Sequence, residues 1–312
     1  MHAAAFSPRG VAPKTTRLRG QSIIEYVLII ALIGLVIVFA GPGVAGAIRN
    51  QFNQVTNTVD SGTDGGNFMS AEEKAYREAM KTVAQKEAKD WTLDEQKAAA
   101  TDIAKNGTSS VVYAKAKAAM DAGTKFSAKL TSGKTLEYRI VGINHDDLAD
   151  GSGKAGLTFE ATNTALAAQR MNATNTSAGG WEASELRGRL NTGDLWSLLP
   201  SEFQSKVKSV KKMTDNQGGG KAGTPTATAD KVFLLSATEV YGDLQSDVVQ
   251  YEYYKSKGVT TSNYSGASSS AAHWTRSVYP SLSMRFCYVS YYGNYSSNYA
   301  TDTDNVFPAF CF

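Results

Sequence analysis

The sequence predicts an α+β protein in three parts: a long N-terminal apolar helix, a helical spacer, and a compact C-terminal domain of short strands and loops. Three observations predict it. An almost unbroken apolar run covers Val27 to Ala40. Residues 70–122 are rich in Ala, Lys and Glu. From Thr124 on, short strand-like stretches alternate with Gly-, Ser- and Thr-rich loops, a mix that suits one α+β domain. The boundaries this implies are a leader over 1–20, the apolar helix over 21–60, the spacer over 61–123 and the C-terminal domain over 124–312.

Composition bounds the partners. The chain has 312 residues, 42% apolar and 20% charged, ordinary values for a globular protein. Its formal charge is +3. Loss of residues 1–20 would remove Arg9, Lys14, Arg17 and Arg19 and no acid, taking the charge from +3 to −1. Nucleic-acid binding rests on neutralising phosphates, so nucleic acid is excluded as a partner class.

The apolar run is long enough for a bilayer, since about 20 apolar residues span the hydrocarbon core. Four basic residues and no acid precede it, the layout of an export signal. Glu25 sits inside the run, where a carboxylate costs about 2.5–3.5 kcal/mol or more and marks function. Gly20 lies before the run, so a cut there keeps the helix on the mature protein. Pro42 between Gly41 and Gly43 predicts a kink.

Gly20, Gln21 and the Glu25-Tyr26 pair together resemble the class III prepilin signal of Flp-type (type IVb, Tad-system) pilins. The resemblance implies a prepilin peptidase that cuts after Gly20, leaving Gln21 as the first mature residue. It implies assembly with other pilin subunits through Glu25 and Tyr26, the glutamate pairing with a neighbour's new amino terminus. A buried charge is tolerable when paired in this way. The implied location is the inner (cytoplasmic) membrane before assembly and a cell-surface pilus afterwards. Without the resemblance, the same stretch reads as a secretory signal cut at Val38-Phe39-Ala40 or as a plain membrane anchor. Flp pilins are small, so the large remainder of this chain points to a decorated minor or tip pilin.

In the spacer, Ser70 with Glu73 and Thr92 with Glu95 make capping boxes. Tyr76, Met80 and Val83 recur at helical spacing, and Asn106-Gly107 marks a turn. These features predict two or three short, mostly solvated helices. Further on, Leu136 to Ile143 and Leu157 to Phe159 read as strands and Ala183 to Leu190 as a helix. Phe203 to Met213 is a short basic segment, and Gln217 to Thr228 is a loop with three consecutive glycines at 218–220. Val232 to Leu235 reads as a buried strand, and Trp274 to Phe312 as short strands and turns.

Five stretches of this domain carry a second resemblance. They are Tyr138 to Asp146, Gly180 to Arg187 (Gly-Trp-Glu-Ala-Ser-Glu-Leu-Arg), Lys231 to Ser236, Trp274 to Ser277 (Trp-Thr-Arg-Ser) and Val306 to Cys311 (Val-Phe-Pro-Ala-Phe-Cys). They are similar to bacterial surface domains with the C-type lectin-like fold, related to the formylglycine-generating-enzyme fold. Two positions depart from it: members often have Arg where Phe307 stands, and Trp where His273 stands.

The sharpest signal is at the end of the chain. After Lys257 there is no Lys, Glu or Gln, and ten of the 15 tyrosines lie between Tyr251 and Tyr299. Arg285 to Asn305 is dominated by Tyr, Ser, Asn, Asp, Thr and Gly, the vocabulary of a paratope. Randomising the adenines of asparagine codons excludes Lys, Glu, Gln, Trp and Met, and residues 277–305 obey that exclusion except at Met284. This resembles the variable region, here about 277–305, of proteins diversified by retroelements. By that analogy Tyr279, Ser281, Ser283, Ser290, Tyr291, Tyr292, Tyr295, Ser297, Tyr299, Asp302 and Asp304 face a ligand, a surface protein or glycan of a host, phage or neighbouring cell. A fixed polar and aromatic strand-and-turn region is the alternative.

Cys287 and Cys311 admit two readings in an exported protein: a disulfide, or two buried thiols. Asn144-His145-Asp146-Asp147 after a strand reads either as a turn in which Asp and Asn bond their own backbone or as a calcium site. No Gly-x-Ser-x-Gly, His-Glu-x-x-His or phosphate loop occurs, so no catalytic residue, cofactor or metal is expected. The expectation is a pilin-anchored adhesin rather than an enzyme, with a purely structural minor pilin or pseudopilin as the alternative.

Overall fold

The computed structural model describes residues 70–244 and 248–312. Three helices open it: α1 (Ala71–Val83), α2 (Leu93–Asn106) and α3 (Tyr113–Ala122). Local chemistry sets their ends. Ser70 Oγ accepts the Glu73 amide at 3.0 Å. Thr92 and Glu95 close a reciprocal capping box, which satisfies amides that the first turn leaves without helix partners. Gly107 ends α2 at φ +56°, a region glycine enters without a Cβ clash.

Ten strands follow: β1 (Lys125–Lys129), β2 (Thr135–Ile143), β3 (Leu157–Ala161), β4 (Val210–Thr214), β5 (Thr226–Asp230), β6 (Val232–Phe233), β7 (His273–Val278), β8 (Arg285–Val289), β9 (Tyr295–Tyr299) and β10 (Ala309–Cys311). Among the helices between them are α4 (Glu185–Asn191), α5 (Ala237–Tyr241) and α6 (Glu252–Ser256). The strands form three antiparallel sheets: five strands in the order β1-β2-β3-β10-β6, a β4-β5 pair, and β7-β8-β9. The chain's last strand is thus interior to the largest sheet. Phe310 holds it there, its ring 5.2 Å from Tyr138, 5.5 Å from Phe159 and 4.8 Å from Phe203.

The three-part layout expected from the sequence is corrected by this arrangement. Among the described residues, no helix is long and apolar enough to cross a membrane. The pilin-helix expectation for residues 21–60, with Gly20, Gln21, Glu25 and Tyr26, lies outside the described residues. The helices read as a solvated spacer are instead part of the domain's core. Ala98, Ala99, Ala100 and Ile103 of α2 and Ala116, Ala119 and Met120 of α3 are buried. Tyr138 of β2 donates to Gln96 Oε1 of α2 at 3.0 Å. At Gly156, an added Cβ would lie 1.8 Å from the Ala100 carbonyl oxygen. Alanine, which reads as neutral filler in a Lys/Glu-rich stretch, is here the side chain short enough for a helix to touch a sheet. The described architecture is therefore one α+β unit with its helices against the five-stranded sheet.

Candidate ligand-binding face

The β7-β8-β9 sheet carries most of the tyrosine-rich region. Directly opposed residues of antiparallel strands share a face, and the register pairs Arg285 with Tyr299, Cys287 with Ser297 and Val289 with Tyr295. One face therefore holds Tyr295, Ser297 and Tyr299 together with Arg285. The Arg285 guanidinium lies 4.2 Å over the Tyr299 ring, and its Nη1 donates to the Ser297 carbonyl at 3.0 Å. Tyr279 stacks on Tyr295 at 6.1 Å between ring centres.

The β8–β9 turn presents the most exposed aromatics. Tyr291 and Tyr292 are 56% and 73% exposed, edge to face at 5.2 Å. Their backbone is held without their side chains. Gly293 donates to the Ser290 carbonyl at 2.9 Å, and Ser290 to the Asn294 carbonyl at 3.0 Å. From beneath, the buried Tyr241 hydroxyl donates to the Gly293 carbonyl at 2.6 Å. Gly293 is at φ +92°, where a Cβ would sit 2.3 Å from the Tyr264 carbonyl oxygen.

The eleven sequence-predicted positions do not form one patch. Ser281 and Ser283 are exposed but lie in the β7–β8 turn, at the opposite end of β8 from Tyr291 and Tyr292. There the Ser283 carbonyl accepts the Ser177 amide at 2.9 Å, and Ser283 lies against Gly220. Tyr279, Ser290, Tyr295, Ser297 and Asp304 are half-buried. Ser290 Oγ bonds Asn294 Oδ1. The Tyr295 hydroxyl meets Cys287 Sγ at 3.1 Å, and burial raises its pKa above the usual phenol range. Asp304 takes a 2.6 Å bond from Asn298, and burial raises its carboxyl pKa. Asp302 is exposed and accepts the Tyr299 amide at 3.2 Å. Tyr291, Tyr292 and Tyr299 are the predicted aromatics most open to solvent. Leu282 and Met284, 42% and 43% exposed, are additional apolar surface that the reading passed over. Their signal was two isolated apolar residues in a serine-rich turn.

A cavity of about 130 Å³ opens beside Tyr295, lined by Ala237, Thr238, Leu244, Ser277, Val278, Pro280, Cys287 and Tyr295. Beneath the sheets lies a cluster of four charges absent from the sequence reading. Lys212 Nζ is 2.5 Å from Asp146 and 2.6 Å from Glu239, and Arg276 grips Glu239 through both of its terminal nitrogens. All four residues are buried, with two charges of each sign. Burial would raise both carboxyls, but Lys212 holds Asp146 well below its usual range, and Arg276 with Lys212 lowers Glu239. Lys212 belongs to the short basic segment that ends at Met213. The signal for its burial is the alternation Val210, Lys212, Thr214, three inward positions of β4.

The calcium reading of Asn144 to Asp147 fails on geometry. Asp146 turns inward to Lys212, Asp147 outward to Lys154 at 2.8 Å, and His145 to Glu252 at 3.1 Å. Asn144 Nδ2 donates to the Ile103 carbonyl. Among the described residues no group of three His, Cys, Asp or Glu side chains is placed to hold a metal. The disulfide reading is corrected as well. Cys287 and Cys311 are buried in different sheets and are not bonded to each other. Cys287 Sγ donates to the Val278 carbonyl, whereas Cys311 Sγ lies 3.3 Å from Thr158 Oγ1. His273 and Phe307 stack face to face at 4.3 Å. Burial lowers the pKa of the imidazole.

Residues 155–312 match the family described as Domain of unknown function (DUF6273). The chain belongs to this family. Comparison with curated proteins and with solved structures returned no match. The DUF6273 segment contains the tyrosine-rich sheet, the cavity, and Lys212, Glu239 and Arg276 of the charge cluster. Asp146, α1 to α3 and strands β1 and β2 precede it. Its β3 pairs with β2, and its Lys212 finds one of its two carboxylates outside the matched residues.

Proposed function

We propose that this DUF6273 protein is a surface-displayed adhesin that binds a macromolecular ligand through the tyrosine-rich β7-β8-β9 sheet. The observation that carries the reading is the β8–β9 turn: two adjacent exposed tyrosines on a backbone fixed from beneath. Rigid Tyr side chains give large contact area at small entropic cost, and Tyr and Arg dominate binding hot spots. Arg285 stacked on Tyr299, at the other end of the β8–β9 pair, offers a second contact of the same kind. The adjoining cavity, about 130 Å³, is below the roughly 300–1,000 Å³ of a typical small-molecule site. A protein or glycan surface therefore suits this face better than an enclosed metabolite. The tail's amino-acid composition, which fits asparagine codons randomised at their adenines, supports diversification by a retroelement. The resemblance around Gly20, Gln21, Glu25 and Tyr26 supports processing by prepilin peptidase, passage through the inner membrane and display among other pilin subunits.

The test is attachment of cells displaying the full chain, with Tyr291, Tyr292 and Tyr299 changed together to Ala. Loss of attachment with normal surface level is expected; unchanged attachment rejects the adhesin role and leaves a structural subunit. Mass spectrometry of the mature N-terminus is expected to find Gln21. Diversification predicts, in neighbouring DNA, a near-copy of the 3′ coding sequence that differs at adenines beside a reverse transcriptase gene.

A further inference from the structure

The cavity beside Tyr295 adjoins the proposed binding face, and its chemistry narrows the ligand. Its floor is buried: Ala237, Thr238, Ser277, Val278 and Cys287. Its rim, Leu244, Pro280 and Tyr295, is half-buried and so reaches solvent. Three of the polar atoms on its wall are already engaged within the protein. Ser277 Oγ accepts the Ala237 amide at 2.9 Å. Cys287 Sγ donates to the Val278 carbonyl at 3.4 Å and meets the Tyr295 hydroxyl at 3.1 Å. A charge entering here would give up water for a wall most of whose polar atoms already have partners, which is unfavourable. An apolar group would lose nothing. At about 130 Å³ the space is close to the roughly 150 Å³ of a dry apolar cavity that holds benzene.

Building on the adhesin reading, we propose that this cavity is a specificity pocket for one apolar side chain, of isobutyl or phenyl size, on a protein ligand. The ligand class is therefore protein rather than carbohydrate. Tyr295 is the hinge of the assignment: its ring forms a wall of the pocket and stacks on Tyr279 at the edge of the tyrosine-rich face. A partner resting on that face reaches the pocket with a single projecting residue.

The test uses the full chain, with benzene, isobutanol and methyl glucoside as probes and the NMR signals of the Ala237, Leu244 and Val278 methyl groups as the readout. Saturable shifts with benzene and isobutanol, and none with methyl glucoside at the same concentrations, are expected. Absence of saturable shifts with the apolar probes, or equal shifts with the glucoside, overturns the proposal. Ala237→Leu, which fills the pocket, is expected to weaken benzene binding by about tenfold or more. If that variant does not fold, Val278→Ala enlarges the pocket and is expected to favour indole over benzene; an unchanged preference overturns the assignment. Self-association of the chain that benzene competes away would give the pocket to a second copy and overturn the partner assignment. The two readings fail separately. Benzene binding with tyrosine-independent attachment removes the adhesin role, whereas tyrosine-dependent attachment without benzene binding removes only the pocket.

Discussion

Replacing Lys212 by Met isolates the buried charge cluster. The ammonium lies 2.5 Å from Asp146, 2.6 Å from Glu239 and 3.0 Å from the Tyr251 hydroxyl, with Phe233 4.4 Å away across its ring. Met approximates the shape of the stem, so little cavity forms. What remains is one cation, Arg276, for two buried carboxylates. Glu239 keeps both Arg276 bonds and the Ser236 amide. Asp146 keeps only the hydroxyls of Thr158 and Tyr251 as strong donors. Removing one partner of a buried ion pair costs about 3–5 kcal/mol, a large share of the roughly 5–15 kcal/mol that holds a domain together. In a domain of this size that is a fall in Tm of roughly 6–20 °C. Urea unfolding at pH 7, followed by circular dichroism, measures it. Lys81→Met is the control: its partner Glu78 is 74% exposed, and the expected cost is below about 1 kcal/mol. The deficit must also depend on pH. In the native protein Lys212 holds the Asp146 pKa down, so that contribution is present at neutral pH and is lost on acidification. Without Lys212, burial raises the same carboxyl, its proton is bound more tightly in the folded state, and the variant gains relative stability as pH falls. The gap between the two proteins should narrow from pH 7 toward pH 4. A loss at pH 7 no larger than that of Lys81→Met, or a gap that widens with acid, would refute the account.

Four further outcomes are expected. Gly156→Ala places a Cβ 1.8 Å from the Ala100 carbonyl, so helix α2 must move off the sheet; a loss of more than about 2 kcal/mol in urea unfolding is expected, and a neutral result would return the helices to the role of detached spacer. His273 is held neutral by burial against the pull of Glu160 and the Ala271 carbonyl, so the unfolded chain takes up a proton that the folded chain refuses. Its contribution is complete above about pH 6.5 and declines below it; the unfolding midpoint of His273→Phe should fall less between pH 7.5 and 5.5 than that of the native protein. Burial raises the Cys311 thiol pKa, so iodoacetamide should label Cys311 only after denaturation, and non-reducing peptide mapping should recover no Cys287–Cys311 link. The Tyr291→Ala, Tyr292→Ala double variant removes side chains on which no turn hydrogen bond depends, so its stability should lie within about 0.5 kcal/mol of the native protein while attachment is lost.

Several features were legible because near neighbours encode them. The Thr92–Glu95 box, the Gly107 stop, the β2 strand and the exposure of Tyr291 and Tyr292 in a Ser/Gly/Asn turn all follow from residues a few positions apart. The tail's unusual composition was legible too, because its lack of Lys, Glu and Gln needs no geometry to be seen. The sequence by itself thus determined the ends of α2, the span of β2 to within a residue, and which segment offers exposed tyrosines. Only the tertiary structure decided which alanines face a sheet, that Lys212 is buried, that Asp146 is a core counter-ion and that Cys287 and Cys311 lie in separate sheets. It also decided that Tyr295 and Asp304 are partly committed to the scaffold. The physical reason is that charge pairing and burial depend on partners distant along the chain: Lys212 meets Asp146 66 residues before it, and Arg276 meets Glu239 37 residues before it. A lysine in solution and a lysine between two buried carboxylates are written with the same letter, and the fold alone supplies the second environment.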